Sequence, residues 1–391
     1  MSDVGDERLH ALDAVRGGAL FLGLAFHAGL SFLPGDQVWL VMDQARSTPI
    51  AWLTFVLHIF RMATFFLLAG FFGRLVLQRK GYGYFVRSRS KRILLPLLIF
   101  WPLVTAAFIG LMAWLYRGKF GLTAEQLPPP PPPSIDTFPL THLWFLYVLI
   151  LFYVAMLILR PVLALDRGER LRAFAGTAAA WSIRRGLLQV VLAVPVATAL
   201  LCQQGWPLWF GVRTPDTGLL PNTPALVTYG SAFLLGWVLN RPGEPLSAMR
   251  SNWPANLLAA GAFTAICLVL LGGKATGGSD ITGVERVGYA ASYALAIWTW
   301  TFGLIGAALT FLNGERRWVR YVADSSYWVY IVHLPIVFAL QIAVMDLPWP
   351  APAKYAVILG ATLALTLASY QLLVRHSFVG SLLNGPRRKR S

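Results

Sequence analysis

The 391-residue chain is 57% apolar and only 13% charged, with a mean hydropathy of +0.60, and no water-soluble fold hides that much apolar surface. Its net charge of +16 does not point to nucleic acid. The basic residues follow the connections between apolar blocks, with no basic aromatic platform among them, as expected for topology and contact with anionic lipid.

A helix needs roughly 20 apolar residues to cross a hydrocarbon layer. Blocks of that kind lie near 14–33, 49–77, 93–116, 139–160, 187–203, 224–240, 254–272, 287–311, 319–345 and 353–376. They predict an all-α integral membrane protein, a bundle of about ten transmembrane helices forming a single domain over 1–391, with 377–391 as a basic cytoplasmic tail. Asp3, Asp6 and Glu7 precede the first block, which lacks a small-residue cleavage site, so it reads as a retained helix and not a removed signal peptide. The longest outer connection, 117–138, contains Pro128 to Pro133, a run expected to form a stiff polyproline spacer. The block at 187–203 is short and interrupted by Pro195; were it not to cross, every later orientation would invert.

Lys and Arg accumulate in cytoplasmic connections. With ten crossings and a cytoplasmic start, 24 of the 33 basic residues fall inside, including Arg79, Lys80, Arg87, Arg89, Lys91, Arg92, Arg316, Arg317, Arg320 and Arg387 to Arg390. Seven fall outside: Arg46, Arg117, Lys119, Arg213, Lys274, Arg286 and Lys354. The bias favours both termini in the cytoplasm. Cys202 and Cys267 form no spaced framework, so neither a disulfide scaffold nor a metal knuckle is supported, and no metal is expected.

Ionisable side chains inside spans are costly and therefore functional candidates. Arg16 and His27 are eleven residues apart in the first helix, which returns to within roughly 20° of the same face after a rise of about 16 Å. In the second helix His58 and Arg61 share a face at i, i+3, at a depth similar to His27. Tyr327, Tyr330 and His333 lie on one side of the ninth helix, as for a lined cavity. Asp13, one turn before Arg16, either orients it or stabilises the helix start.

Arg16 and His27 resemble the Arg-x10-His signature of the membrane acyltransferase family 3, near the start of the first helix. The resemblance continues through Phe65 to Phe71 (FFLLAGF), Arg89 to Pro96 (RSKRILLP), Thr141 to Leu146 (THLWFL) and Ser325 to Pro335 (SSYWVYIVHLP). His58 to Met62 and the HLWFL run are similar to its glucan-modifying branch, which attaches succinyl groups to osmoregulated periplasmic glucans.

That resemblance implies a multi-pass protein of the bacterial inner membrane that carries no permanent cofactor. It implies transfer of a succinyl, acetyl or other short acyl group from cytoplasmic succinyl-CoA or acetyl-CoA to a periplasmic glucan or another polysaccharide acceptor. Arg16, Arg89 and Arg92 are the expected contacts to coenzyme A phosphates, Arg89 and Arg92 being equally readable as positive-inside anchors. His27 is the expected general base on a sugar hydroxyl, with Arg61 or Tyr330 as donors to the developing oxyanion. His58, His142 and His333 are expected to orient acceptor or catalytic groups. Trp144 is expected beside the acceptor, or else is an interfacial belt residue. The rival class is a proton-coupled transporter, against which stand the near-absence of carboxylates in the spans and the lack of a half-repeat.

Overall fold

A computed structural model describes residues 3–35, 39–123, 126, 132, 134–164, 174, 177–240, 244–273, 275, 281–312, 314 and 316–384, with the side chains of 3–9, 160–164 and 244 outside that description. The described residues form helices and no strand beyond an isolated bridge between Pro139 and Thr217. In chain order they are α1 (Asp3–Gly29), α2 (Thr48–Arg89), α3 (Leu95–Ala113), α4 (Trp144–Ala164), α5 (Thr177–Arg184), α6 (Leu187–Leu201), α7 (Thr223–Leu239), α8 (Glu244–Ser251), α9 (Trp253–Leu270), α10 (Gly283–Phe311), α11 (Arg317–Val344), α12 (Ala351–Ser369) and α13 (Phe378–Asn384).

Local chemistry explains several boundaries. Ser47 and Asn222 accept from the amides of Ile50 and Ala225, with Pro49 and Pro224 in the following first turn, where a missing N–H costs nothing. Pro254 and Pro352 occupy the same place in α9 and α12. Among the described residues seven stretches are long and apolar enough to cross a membrane, or eight if α5 and α6, bent by 101°, make one broken span. The chain is a multi-pass membrane protein. One of the seven, Thr48–Lys119, has 72 residues, far more than one crossing needs, and Gly81 interrupts it at φ 76 and ψ 175.

Several boundaries differ from the hydropathy reading. The first helix begins at Asp3 and the second runs on to Arg89, because charged residues extend a helix beyond the hydrocarbon as readily as they end it. Pro195 lies inside α6 without breaking it; the break is at Arg185-Gly186, where Gly186 has φ 69. Residues 378–384 of the expected tail form α13, while Arg387 to Arg390, like Pro128 to Pro131 and Pro133 of the proline run, lie outside the described residues.

Helices in lipid approach through small residues. Gly70 of α2 meets the Phe233 carbonyl of α7, and Gly236 of α7 meets the Leu67 carbonyl of α2. Gly303 and Gly306 of α10 lie against Leu257 of α9 and Met249 of α8. Gly17 of α1 faces Ala323 of α11, a Cβ there coming within 3.2 Å of the Ala323 Cα. That apposition sets the register of the site.

Candidate active site

From the Gly17–Ala323 contact, ten residues along each helix lead to His27 on α1 and His333 on α11. At about 1.5 Å per residue both imidazoles rise about 15 Å and meet at one level. Their ring centroids are 5.3 Å apart, and His142, from the turn entering α4, lies 5.3 Å from His333. These three histidines, with Arg61, Trp144 and Tyr330, line a cavity of about 40 Å³, enough for a few waters.

A second cavity of about 240 Å³ lies alongside, lined by Arg16, Arg89, Arg92, Tyr153, Asp324 and Tyr327 among others. The two share Leu20, Phe65, Phe145 and Tyr330 in their walls. α1 supplies Arg16, Leu20, Gly23 and His27, and α11 supplies Ala323, Tyr327, Tyr330 and His333, so the two helices act as rails linking an arginine end to a histidine end. Arg16 pairs with Asp13 at 3.1 Å and lies over the Phe72 ring; Arg89 packs over Phe85 and Tyr153.

Backbone carbonyls fix the histidine tautomers, since a carbonyl only accepts and the ring nitrogen facing it must carry hydrogen. His333 Nδ1 donates to the Tyr330 carbonyl at 2.7 Å, and His142 Nε2 to the Ile331 carbonyl at 3.0 Å. The lone-pair nitrogens, His333 Nε2 and His142 Nδ1, are buried with no hydrogen-bond partner among the described residues, as is His27 Nδ1. The Tyr330 hydroxyl donates to the His142 carbonyl at 2.7 Å, so its single O–H is engaged in holding the turn before α4 to α11. Before His142, Thr141 takes φ 54, a left-handed conformation uncommon outside glycine.

Arg61 is 8% exposed, and its guanidinium stacks 4.6 Å from the Phe26 ring. Its Nε is unpartnered, and no carboxylate pairs with it among the described residues. Gly23 makes room for it, since a Cβ there would stand 2.9 Å from Nη1. His58 is on the same helix face but outside the cavity lining: it stacks on Phe26 at 5.2 Å and donates through Nε2 to the Val212 carbonyl at 3.2 Å. Trp144 is buried, stacked on Tyr229 at 5.5 Å, and is not a belt residue.

Two features escaped sequence reasoning. Gln341 of α11 donates to the His27 carbonyl at 2.9 Å and accepts from Trp39 Nε1 at 3.0 Å, tying His27 to the connection after α1. A lone amide in an apolar helix was the available signal. Lys354 at the start of α12 pairs with Asp43 of the same connection, a buried pair with no pattern in the sequence.

The acyltransferase domain family matches residues 9–371 of the chain. Two proteins named "Glucans biosynthesis protein C", from Escherichia coli strain SMS-3-5 / SECEC and from Escherichia coli O1:K1 / APEC, are 30% and 29% identical to it over 157 residues. Each match spans 38% of this chain and 38% of the relative's length. No solved structure matches the chain.

Proposed function

The chain belongs to the acyltransferase domain family, and from that premise we propose that it is a transmembrane O-acyltransferase moving a succinyl or other short acyl group from cytoplasmic acyl-CoA to hydroxyls of a periplasmic glucan. The observation that carries this reading is the pair of adjoining cavities, arginines at one end and imidazoles at the other. A donor with a phosphate-bearing head and a thioester on a flexible arm has that distribution of chemistry.

Arg16, Arg89 and Arg92 bind the donor's phosphates through charge-assisted hydrogen bonds. The arm passes between Leu20, Phe65, Phe145 and Tyr330, carrying the thioester about 16 Å along α1 to the level of His27. His27 takes the proton from the acceptor hydroxyl, a weak nucleophile without such help. Arg61, a buried cation with no carboxylate partner among the described residues, stabilises the oxyanion that forms on the thioester carbonyl. Tyr330 and His142 hold the wall, and Trp144 offers an aromatic face beside the acceptor.

The reading places the molecule in the bacterial inner membrane with ten crossings and both termini cytoplasmic. Counting Thr48–Lys119 as two crossings, α5 with α6 as one and the short apolar helix α7 as another supports that number, and the basic residues of 79–92 and 316–320 support the orientation. The glucan acceptor is supported by the names of the two relatives.

The test is incubation of purified protein with succinyl-CoA or acetyl-CoA and glucan, followed by mass analysis. A mass increase equal to one acyl group on the glucan is expected; glucan left unmodified by both donors removes the reading.

A further inference from the structure

His27 and His333 line the same small cavity but are held by different neighbours. The His27 backbone carbonyl is held by Gln341, and its ring lies 5.9 Å from Trp39 of the connection after α1. His333 is anchored one turn from Tyr330, the residue through which α11 enters the walls of both cavities. Its Nδ1–H is fixed on the Tyr330 carbonyl, so its free, buried Nε2 is the nitrogen available to the reaction. The 5.3 Å between ring centroids, beside space for water, lets one proton pass from His27 to His333.

Building on the acyl-transfer reading, we propose that His333 is a second catalytic residue, the general acid that protonates the departing thiol. The acceptor oxygen bonds to the thioester carbon while its proton goes to His27. The proton moves on to His333 Nε2, directly or through one water. As the carbon–sulfur bond breaks, His333 gives that proton to sulfur, so the ester and the free thiol form with no net change in either ring. Acceptor and leaving group then each have their own imidazole, and the thiol is released toward the arginine cavity from which the donor came.

The test varies the leaving group. Succinyl thioesters lacking the nucleotide, from pantetheine (a basic alkyl thiol) to p-nitrothiophenol (a weakly basic aryl thiol), are assayed for transfer to glucan. His333→Asn keeps an N–H for the Tyr330 carbonyl but has no counterpart of Nε2. It is expected to slow transfer from the alkyl thioester by roughly 10²- to 10⁴-fold, the usual contribution of a positioned acid, and to slow transfer from the aryl thioester far less. His27→Asn is expected to slow both alike. Equal losses with both donors in His333→Asn, or rates like wild type, overturn the assignment. Should the variant not fold, the wild-type series decides: rates nearly independent of thiol basicity support an acid at sulfur, and a steep dependence contradicts it. Absence of transfer by wild type from every thioester, acyl-CoA included, overturns the acyl-transfer reading and this assignment with it; transfer without the leaving-group pattern overturns only the role of His333.

Discussion

Lys354 closes on Asp43 through both carboxylate oxygens, Nζ to Oδ2 at 2.8 Å and to Oδ1 at 2.9 Å, with each side chain 2% exposed. The ammonium also donates to the Met345 carbonyl at 3.0 Å, and Asp43 accepts from the Ala45 amide at 2.8 Å. The pair therefore joins the connection after α1, the end of α11 and the start of α12. Removing one partner strands the other as a buried charge. Lys354→Met should destabilise the protein by about 3–5 kcal/mol, whereas Lys354→Met with Asp43→Leu should recover much of that loss. Thermal unfolding in detergent measures both, and equal losses in single and double variants would show that the pair is not the source.

Gly70 and Gly236 bring the backbones of α2 and α7 into contact, each against a carbonyl of the other helix. A backbone carbonyl cannot move aside as a side-chain end can. Gly236→Ala should cost about 1–3 kcal/mol by overpacking, and Gly236→Leu should leave little folded protein. Yield and unfolding temperature report both. Gly23 differs, because what its Cβ would meet is the end of the Arg61 side chain. Gly23→Ala should fold nearly as well as wild type yet lose turnover by displacing the guanidinium, a separation visible when activity is normalised to folded protein.

Arg16 is expected to contact donor phosphate. Arg16→Ala should weaken acyl-CoA binding by about 10- to 100-fold, the loss of one charge-assisted contact. Asp13→Asn removes the 3.1 Å ion pair while keeping the cation, and so separates a phosphate ligand from a structural pair. Calorimetric affinities like wild type for Arg16→Ala would make Arg16 structural.

Orientation is testable with single cysteines in a background lacking Cys202 and Cys267. Thr123→Cys and Ser134→Cys, in the connection between α3 and α4, should react with an impermeant thiol reagent added outside intact cells. Tyr84→Cys, in α2 beyond Gly81, should not. Labelling of the Tyr84 position from outside would invert the whole arrangement.

That the chain is all-helical and crosses a membrane several times was legible in the sequence, because a hydrocarbon layer demands uninterrupted apolar length. The Arg16 and His27 rail was legible because helical period alone places them on one face. Period does not say what fills the space between faces: His58 shares a face with Arg61, yet it packs on Phe26 and is bonded to the Val212 carbonyl, away from the cavity lining. Gln341 carries no charge and so does not stand out beside the ionisable groups of the spans, yet its amide holds the His27 backbone carbonyl. Asp43, in the connection after α1, and Lys354, at the start of α12, are 311 positions apart, so only the folded chain brings them together.

On the proposed mechanism an acyl group passes from one face of the membrane to the other along the route from Arg16 to His27. Sealed vesicles containing the purified protein, with labelled succinyl-CoA trapped inside and glucan supplied only outside, test it directly. Labelled glucan in the outer medium, reduced about 10²- to 10⁴-fold in a stably folded His27→Asn protein, is the result predicted. Label reaching glucan only when donor and acceptor share one compartment, or undiminished transfer by His27→Asn, would contradict it.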